Sequence, residues 1–128
     1  MITFVLLNNP KMKQFELFDV QLHPARGSEQ RGIRPCVVLQ TNASSGRGGT
    51  TIIAPLTTKK LQLIYPFEVL IEPSKQNGLV AHSKIKLDQI RVISFERTKK
   101  RRGHIEEKYW KEILEAVDVI FDRDQLYC

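Results

Sequence analysis

The residues best suited to chemistry lie in one short stretch, Arg26-Gly27-Ser28-Glu29-Gln30-Arg31-Gly32-Ile33-Arg34-Pro35. It combines three guanidinium groups with one carboxylate, a hydroxyl, an amide and two glycines. Guanidinium groups bind phosphate oxygens through paired hydrogen bonds and stabilise charge that develops during phosphoryl transfer. Glycines let the backbone approach such a group closely. A loop from His23 to Pro35 can therefore surround a phosphate, and a solvated hairpin loop accounts equally well for the same composition.

The elements that must position this loop follow from hydrophobic periodicity. Apolar and β-branched runs bounded by turn formers predict strands at Phe15 to Leu22, Cys36 to Thr41, Thr50 to Leu56 and Pro66 to Glu72, with two more near Leu79 to Leu87 and Gln89 to Ser94. Loops are expected at His23 to Pro35, Asn42 to Gly49, Thr57 to Tyr65 and Pro73 to Gly78. Ile105, Tyr109, Trp110, Ile113, Leu114, Val117, Ile120 and Phe121 recur at helical spacing, and predict a C-terminal helix with one apolar face. The fold class is mainly β with a C-terminal helix (α+β), the helix closing the core of a strongly bent antiparallel sheet or small barrel.

A chain of 128 residues, 41% hydrophobic, suits one core and one domain. Its net charge of +6 is uneven: residues 1–104 hold 17 Lys/Arg against 7 Asp/Glu, and residues 105–128 hold 3 against 7. A basic body attracts polyanions, with nucleic acid first and an acidic protein second, although charge also serves general solubility. The run Arg97-Thr98-Lys99-Lys100-Arg101-Arg102 reads as a solvated, mobile loop with at most a non-specific attraction for RNA. Cys36 and Cys128 form neither a disulfide framework nor a zinc spacing, which fits a reducing cytoplasm. Ile2 to Leu7 is too short for a signal sequence core or a membrane span, so a soluble protein is expected. His23, His82 and His104 are widely separated, and no metal site or cofactor is expected.

The order Pro24, Gly27-Ser28-Glu29-Gln30, Gly32, Arg34-Pro35 and Val37-Val38-Leu39 resembles the first signature of the MazF/PemK toxin family. The likeness continues through Ile52-Ile53-Ala54-Pro55-Leu56-Thr57, Tyr65-Pro66-Phe67-Glu68-Val69 and Leu87-Asp88-Gln89-Ile90-Arg91, covering roughly residues 14 to 121. The resemblance implies the bent sheet or small SH3-like barrel of the MazF/PemK/CcdB type. It also implies the toxin of a type II toxin–antitoxin system, a metal-independent endoribonuclease that cuts single-stranded mRNA at short sequences. Attack by the ribose 2′-hydroxyl would leave a 2′,3′-cyclic phosphate and a 5′-hydroxyl. The implied partners are RNA, a second copy in a homodimer, and an antitoxin whose acidic segment competes for the same arginines.

Carried over by position, Arg34 is the arginine that stabilises the phosphorane or acts as acid, and Thr57 is the hydroxyl residue that holds the scissile phosphate. An arginine stays protonated near neutrality, so the stabilising role comes first. Glu29 is either the general base or a carboxylate that orients Arg26, Arg31 or Arg34. Arg26, Ser28, Gln30, Arg31, Thr58, Asp88 and Gln89 are expected to contact substrate, with Asp88 and Gln89 otherwise a tight turn. Tyr65 and Phe67 are the aromatics best placed to stack on unpaired bases. RNA specificity is assigned to the loops Asn42 to Gly49 and Thr57 to Tyr65.

Two departures accompany the resemblance. The family opens its first aligned strand with glycine where this chain has Phe15, so either the start of the strand is reshaped or the substrate groove is partly filled. Residues 1–13 are read as an N-terminal extension or, for the first eleven, as a misassigned start before Met12, with a single domain expected over 14–122 and a short tail over 123–128. The rival functions are a non-catalytic toxin of the same fold that binds a protein such as gyrase, and an inactive RNA-binding member.

Overall fold

Thr50–Thr57 (β3) buries all but two of its eight residues, the pattern of a strand covered on both faces and paired along both edges. A computed structural model describes residues 2, 12–42 and 48–122. The expected extension up to residue 11, apart from Ile2, lies outside the described residues, as do residues 43–47 and the tail 123–128. Around β3 run β1 (Glu16–Gln21), β2 (Ile33–Val38), β4 (Glu68–Ile71), β5 (Ser83–Lys86), β6 (Arg91–Ser94) and β7 (Thr98–His104), followed by the helix α1 (Trp110–Ile120).

The order β4-β5-β3-β2-β1-β7 is antiparallel throughout, and β6 also pairs β3. One edge of β3 meets β5 at Leu56 and Thr57, then β6 from Thr50 to Ile53, with the turn Leu87–Gln89 bending the chain between them. The result is the open, bent sheet rather than the closed barrel, since the path ends at β4 and β7.

Successive strand side chains point to opposite faces, and the core divides accordingly. Leu17, Val37, Ala54, Leu56, Ile85, Ile113 and Ala116 belong to a larger cluster between sheet and helix. Val20, Leu22, Cys36, Val38, Ile53 and Ile93 form a smaller one on the other face. Met12, expected in the extension, is buried in the smaller cluster.

Three expectations are corrected. The second strand runs Ile33–Val38, not Cys36 to Thr41, because Gln21 and Val20 pair with Ile33 and Arg34 and draw the polar start into the ladder. The basic run is no loop: Thr98–His104 is a strand on β1, where Arg101 meets Glu16 at 2.7 Å and Arg102 meets Asp19 at 2.6 Å. Those carboxylates neutralise two charges of the run, while Lys99 and Lys100 stay exposed, as suits an edge strand. The helical stripe is narrower than its sequence suggested. Ile113 and Ala116 are buried, whereas Leu114, Ile120 and Phe121 are exposed, and the helix begins only after a turn at Glu107–Tyr109.

Burial pushes the Cys36 thiol up from 9.0 to about 12, because the thiolate is poorly solvated there. The unfolded chain thus releases this proton first, so the contribution to stability is complete below 9.0 and is lost as pH climbs towards about 12. Native protein at about pH 8 is expected to leave Cys36 unmodified by iodoacetamide, and unfolded protein to alkylate it fully, as read by peptide mass spectrometry.

Candidate active site

The Arg-rich loop between β1 and β2 is held at its neck by two guanidinium groups from outside it. Arg91 Nη1 donates to the Leu22 carbonyl at 3.1 Å, and Arg97 Nη1 donates to the carbonyls of Gln21, at 3.3 Å, and His23. Leu22 N donates to Gly32 O at 2.9 Å and closes the base. Within the loop, Glu29 Oε1 accepts from Arg26 N at 3.1 Å, and Arg31 Nη2 donates to Gly27 O at 2.8 Å. Gly27 (φ 57°) and Gly32 (φ 79°) take the left-handed backbone that such tight bracing needs.

A cavity of about 340 Å³ lies between this loop and the strands β3 and β5. Its walls include six cationic side chains, Arg31, Arg34, Lys59, Lys60, Lys84 and Lys86, against the single carboxylate of Glu29. Arg34 projects from β2, and its Nε donates to the Arg31 carbonyl at 2.8 Å, which sets the plane of the guanidinium. Thr57 ends β3 with its Oγ1 accepting from Lys59 N at 3.2 Å. The site thus offers converging positive charge with a hydroxyl at its wall, a fit for a phosphate diester.

The expected site residues divide between this cavity and its neighbour. Ser28, Glu29, Gln30, Arg31, Arg34 and Thr57 line the first. Asp88 and Gln89 line a second cavity of about 270 Å³, which shares Glu29 and Gln30 with the first. Gln30 N donates to Gln89 Oε1 at 3.4 Å, joining the Arg-rich loop to the turn after β5. Arg26 and Thr58 are exposed and stand outside both walls. Among the described residues no ion pair ties Glu29 to an arginine; its carboxylate instead orders the Arg26 backbone. Tyr65 and Phe67 stack on each other, centroids 5.3 Å apart, with Tyr65 exposed.

Four cations were missed. Lys59 and Lys60 follow Thr57 directly, and Lys84 and Lys86 share one face of β5 by the two-residue strand period. That period was visible in the sequence, but only the pairing of Thr57 with Lys84 brings the face to the cavity.

Residues 13–121 match the family described as PemK-like, MazF-like toxin of type II toxin-antitoxin system. The chain belongs to that family. It is 34% identical over 108 residues to the endoribonuclease MazF of Staphylococcus saprophyticus, covering 84% of this chain and 89% of that protein. To the endoribonuclease EndoA of Bacillus subtilis it is 30% identical, covering 84% and 92%. Among solved structures, MazF from Deinococcus radiodurans superposes with a TM-score of 0.72 at 23% identity, covering 86% of this chain and 96% of that one. A mycobacterial endoribonuclease in complex with its cognate antitoxin gives 0.70 at 16% identity, covering 87% and 95%.

Phe15, where the resemblance leads one to expect glycine, takes a glycine-like backbone with φ 69°. Its N donates to Val38 O at 2.7 Å and its carbonyl accepts from Ile105 N at 2.8 Å, which ties β2 to the end of β7. The ring is 4% exposed and stacks on Trp110 with centroids 4.8 Å apart. It therefore fills the core under the helix and not the groove. Phe15→Gly is expected to lower folding stability by roughly 2–4 kcal/mol in urea unfolding, the lost ring outweighing the relief of left-handed strain.

Proposed function

We propose that this toxin is an endoribonuclease that cleaves single-stranded mRNA at specific short sequences without a metal ion. The observation that carries the reading is the cavity in which Arg34 and Thr57 meet the cationic side chains of Arg31, Lys59, Lys60 and Lys86. The relatives named as endoribonucleases support it. In this reading Thr57 donates its hydroxyl proton to a phosphate oxygen and Arg34 stabilises the dianionic phosphorane formed by 2′-hydroxyl attack. Glu29 takes the 2′-hydroxyl proton and passes it to solvent, the P–O5′ bond breaks, and the leaving 5′ oxygen takes a proton from solvent water, giving the 2′,3′-cyclic phosphate and the 5′-hydroxyl.

Ser28, Gln30, Arg31, Asp88 and Gln89 hold the flanking RNA, joined by Lys59, Lys60 and Lys86, while Arg26 and Thr58 contact strand farther from the cut. The active form is a cytoplasmic homodimer, with residues 14–122 as its toxin domain, 1–13 an extension and 123–128 a tail. An acidic antitoxin segment silences it by taking the place of RNA phosphates among the same cations. Solved MazE–MazF complexes of Deinococcus radiodurans, similar in fold, support that partner.

Purified protein is expected to cut mixed RNA in excess EDTA, leaving 5′-hydroxyl and cyclic phosphate ends. Intact RNA, or products with a 3′-hydroxyl, defeats the reading. Arg34→Ala and Thr57→Ala should each lower kcat by about 10²–10³-fold with the fold retained by circular dichroism. Glu29→Gln separates base from brace: a fall of about 10²-fold or more in kcat supports the base, and a change under about threefold assigns the carboxylate to the Arg26 turn alone.

A further inference from the structure

Among the described residues Glu68 and Lys84 are the two buried charged ones, 4% and 3% exposed. Although Lys84 borders the cavity, all three protons of its ammonium are engaged. Nζ donates to the carbonyls of Lys60 and Leu63 and to Glu68 Oε1, each at 3.0 Å. Glu68 completes the brace: Oε1 also accepts from Tyr65 N at 3.0 Å, and Glu68 N donates to Tyr65 O at 2.9 Å. Both charges thus act on one segment, residues 58–67, which connects β3 to β4 without strand pairing.

A buried ion pair is commonly no more stabilising than apolar side chains of similar volume, because desolvation offsets the attraction. Apolar replacements, however, cannot bond the carbonyls of Lys60 and Leu63. We propose that Lys84, braced by Glu68, is a positioning residue for RNA binding. It holds the 58–67 segment so that Lys59 and Lys60 face the phosphate cavity. This rests on the nuclease reading and adds to it a loop whose order is set by a buried lysine that never touches substrate.

Removing Lys84 alone strands a buried carboxylate and risks unfolding, so the test uses the double variant Glu68→Met with Lys84→Met in the full chain. Hydrogen exchange and steady-state RNA cleavage are measured beside wild type. The expected result is at least about tenfold faster exchange confined to amides of residues 58–65, with β3 protection retained. KM for RNA should rise at least about tenfold while kcat changes less than about threefold. Unchanged loop exchange, faster exchange spread evenly through β3, or an unchanged KM beside a loosened loop overturns the proposal. A wild-type protein that cleaves no RNA defeats the nuclease reading and, with it, the positioning role in binding; the exchange data then report only whether the pair orders the loop.

Discussion

Like charges brought together around one cavity are the constraint on which the rest of this structure depends. Arg31, Arg34, Lys59, Lys60, Lys84 and Lys86 share walls with only one carboxylate. Two unit charges about 4 Å apart near a protein surface repel by roughly 4 kcal/mol, so such a cluster holds only where the scaffold restrains it. The restraint here is made of backbone carbonyls and of the buried Glu68 carboxylate, 3.0 Å from Lys84 and 4.0 Å from Lys86. Arg34 is tied to Arg31 O, Arg31 to Gly27 O, and Lys84 to Lys60 O and Leu63 O. A polyanion bound among these cations would relieve the repulsion that the restraints leave.

The sheet supplies the restraint because β3 is paired along its whole length. Thr57 cannot shift without moving its partner Lys84, and Lys84 in turn holds the segment that follows Thr57. The bend at Leu87–Gln89 lets one run of chain serve both halves of β3 and brings Gln89 against the Arg-rich loop. Site and bend are thus parts of one arrangement, with Arg91 and Arg97 holding the loop's neck from the strand and turn just beyond.

Phe15 holds a left-handed backbone, φ 69°, that glycine would adopt more easily. Glycine reaches the left-handed region without penalty, and phenylalanine reaches it at a cost of about 1–2 kcal/mol. Here that cost is offset by a ring buried against Trp110 and by two backbone bonds that join β2 to the end of β7. The ring ties the helix to the core and stays clear of the cavity.

What the sequence determined by itself was local: the strand periods, the glycine-punctuated arginine loop, the helical stripe and the motif order that marks the family. The strand, loop and helix readings depend on neighbours a few residues apart, while Arg34 and Thr57 stand out only through the resemblance in motif order. Tertiary structure decided everything that depends on register. Only the pairing of Thr57 with Lys84 turned two unremarked lysines into cavity walls, and only the carboxylates of β1 turned the basic run into a strand. It also sent Phe15 inward and left Arg26 outside. For the lysines, the basic strand and Phe15 the deciding partner lies far along the chain, and local spacing does not specify a pairing of that range.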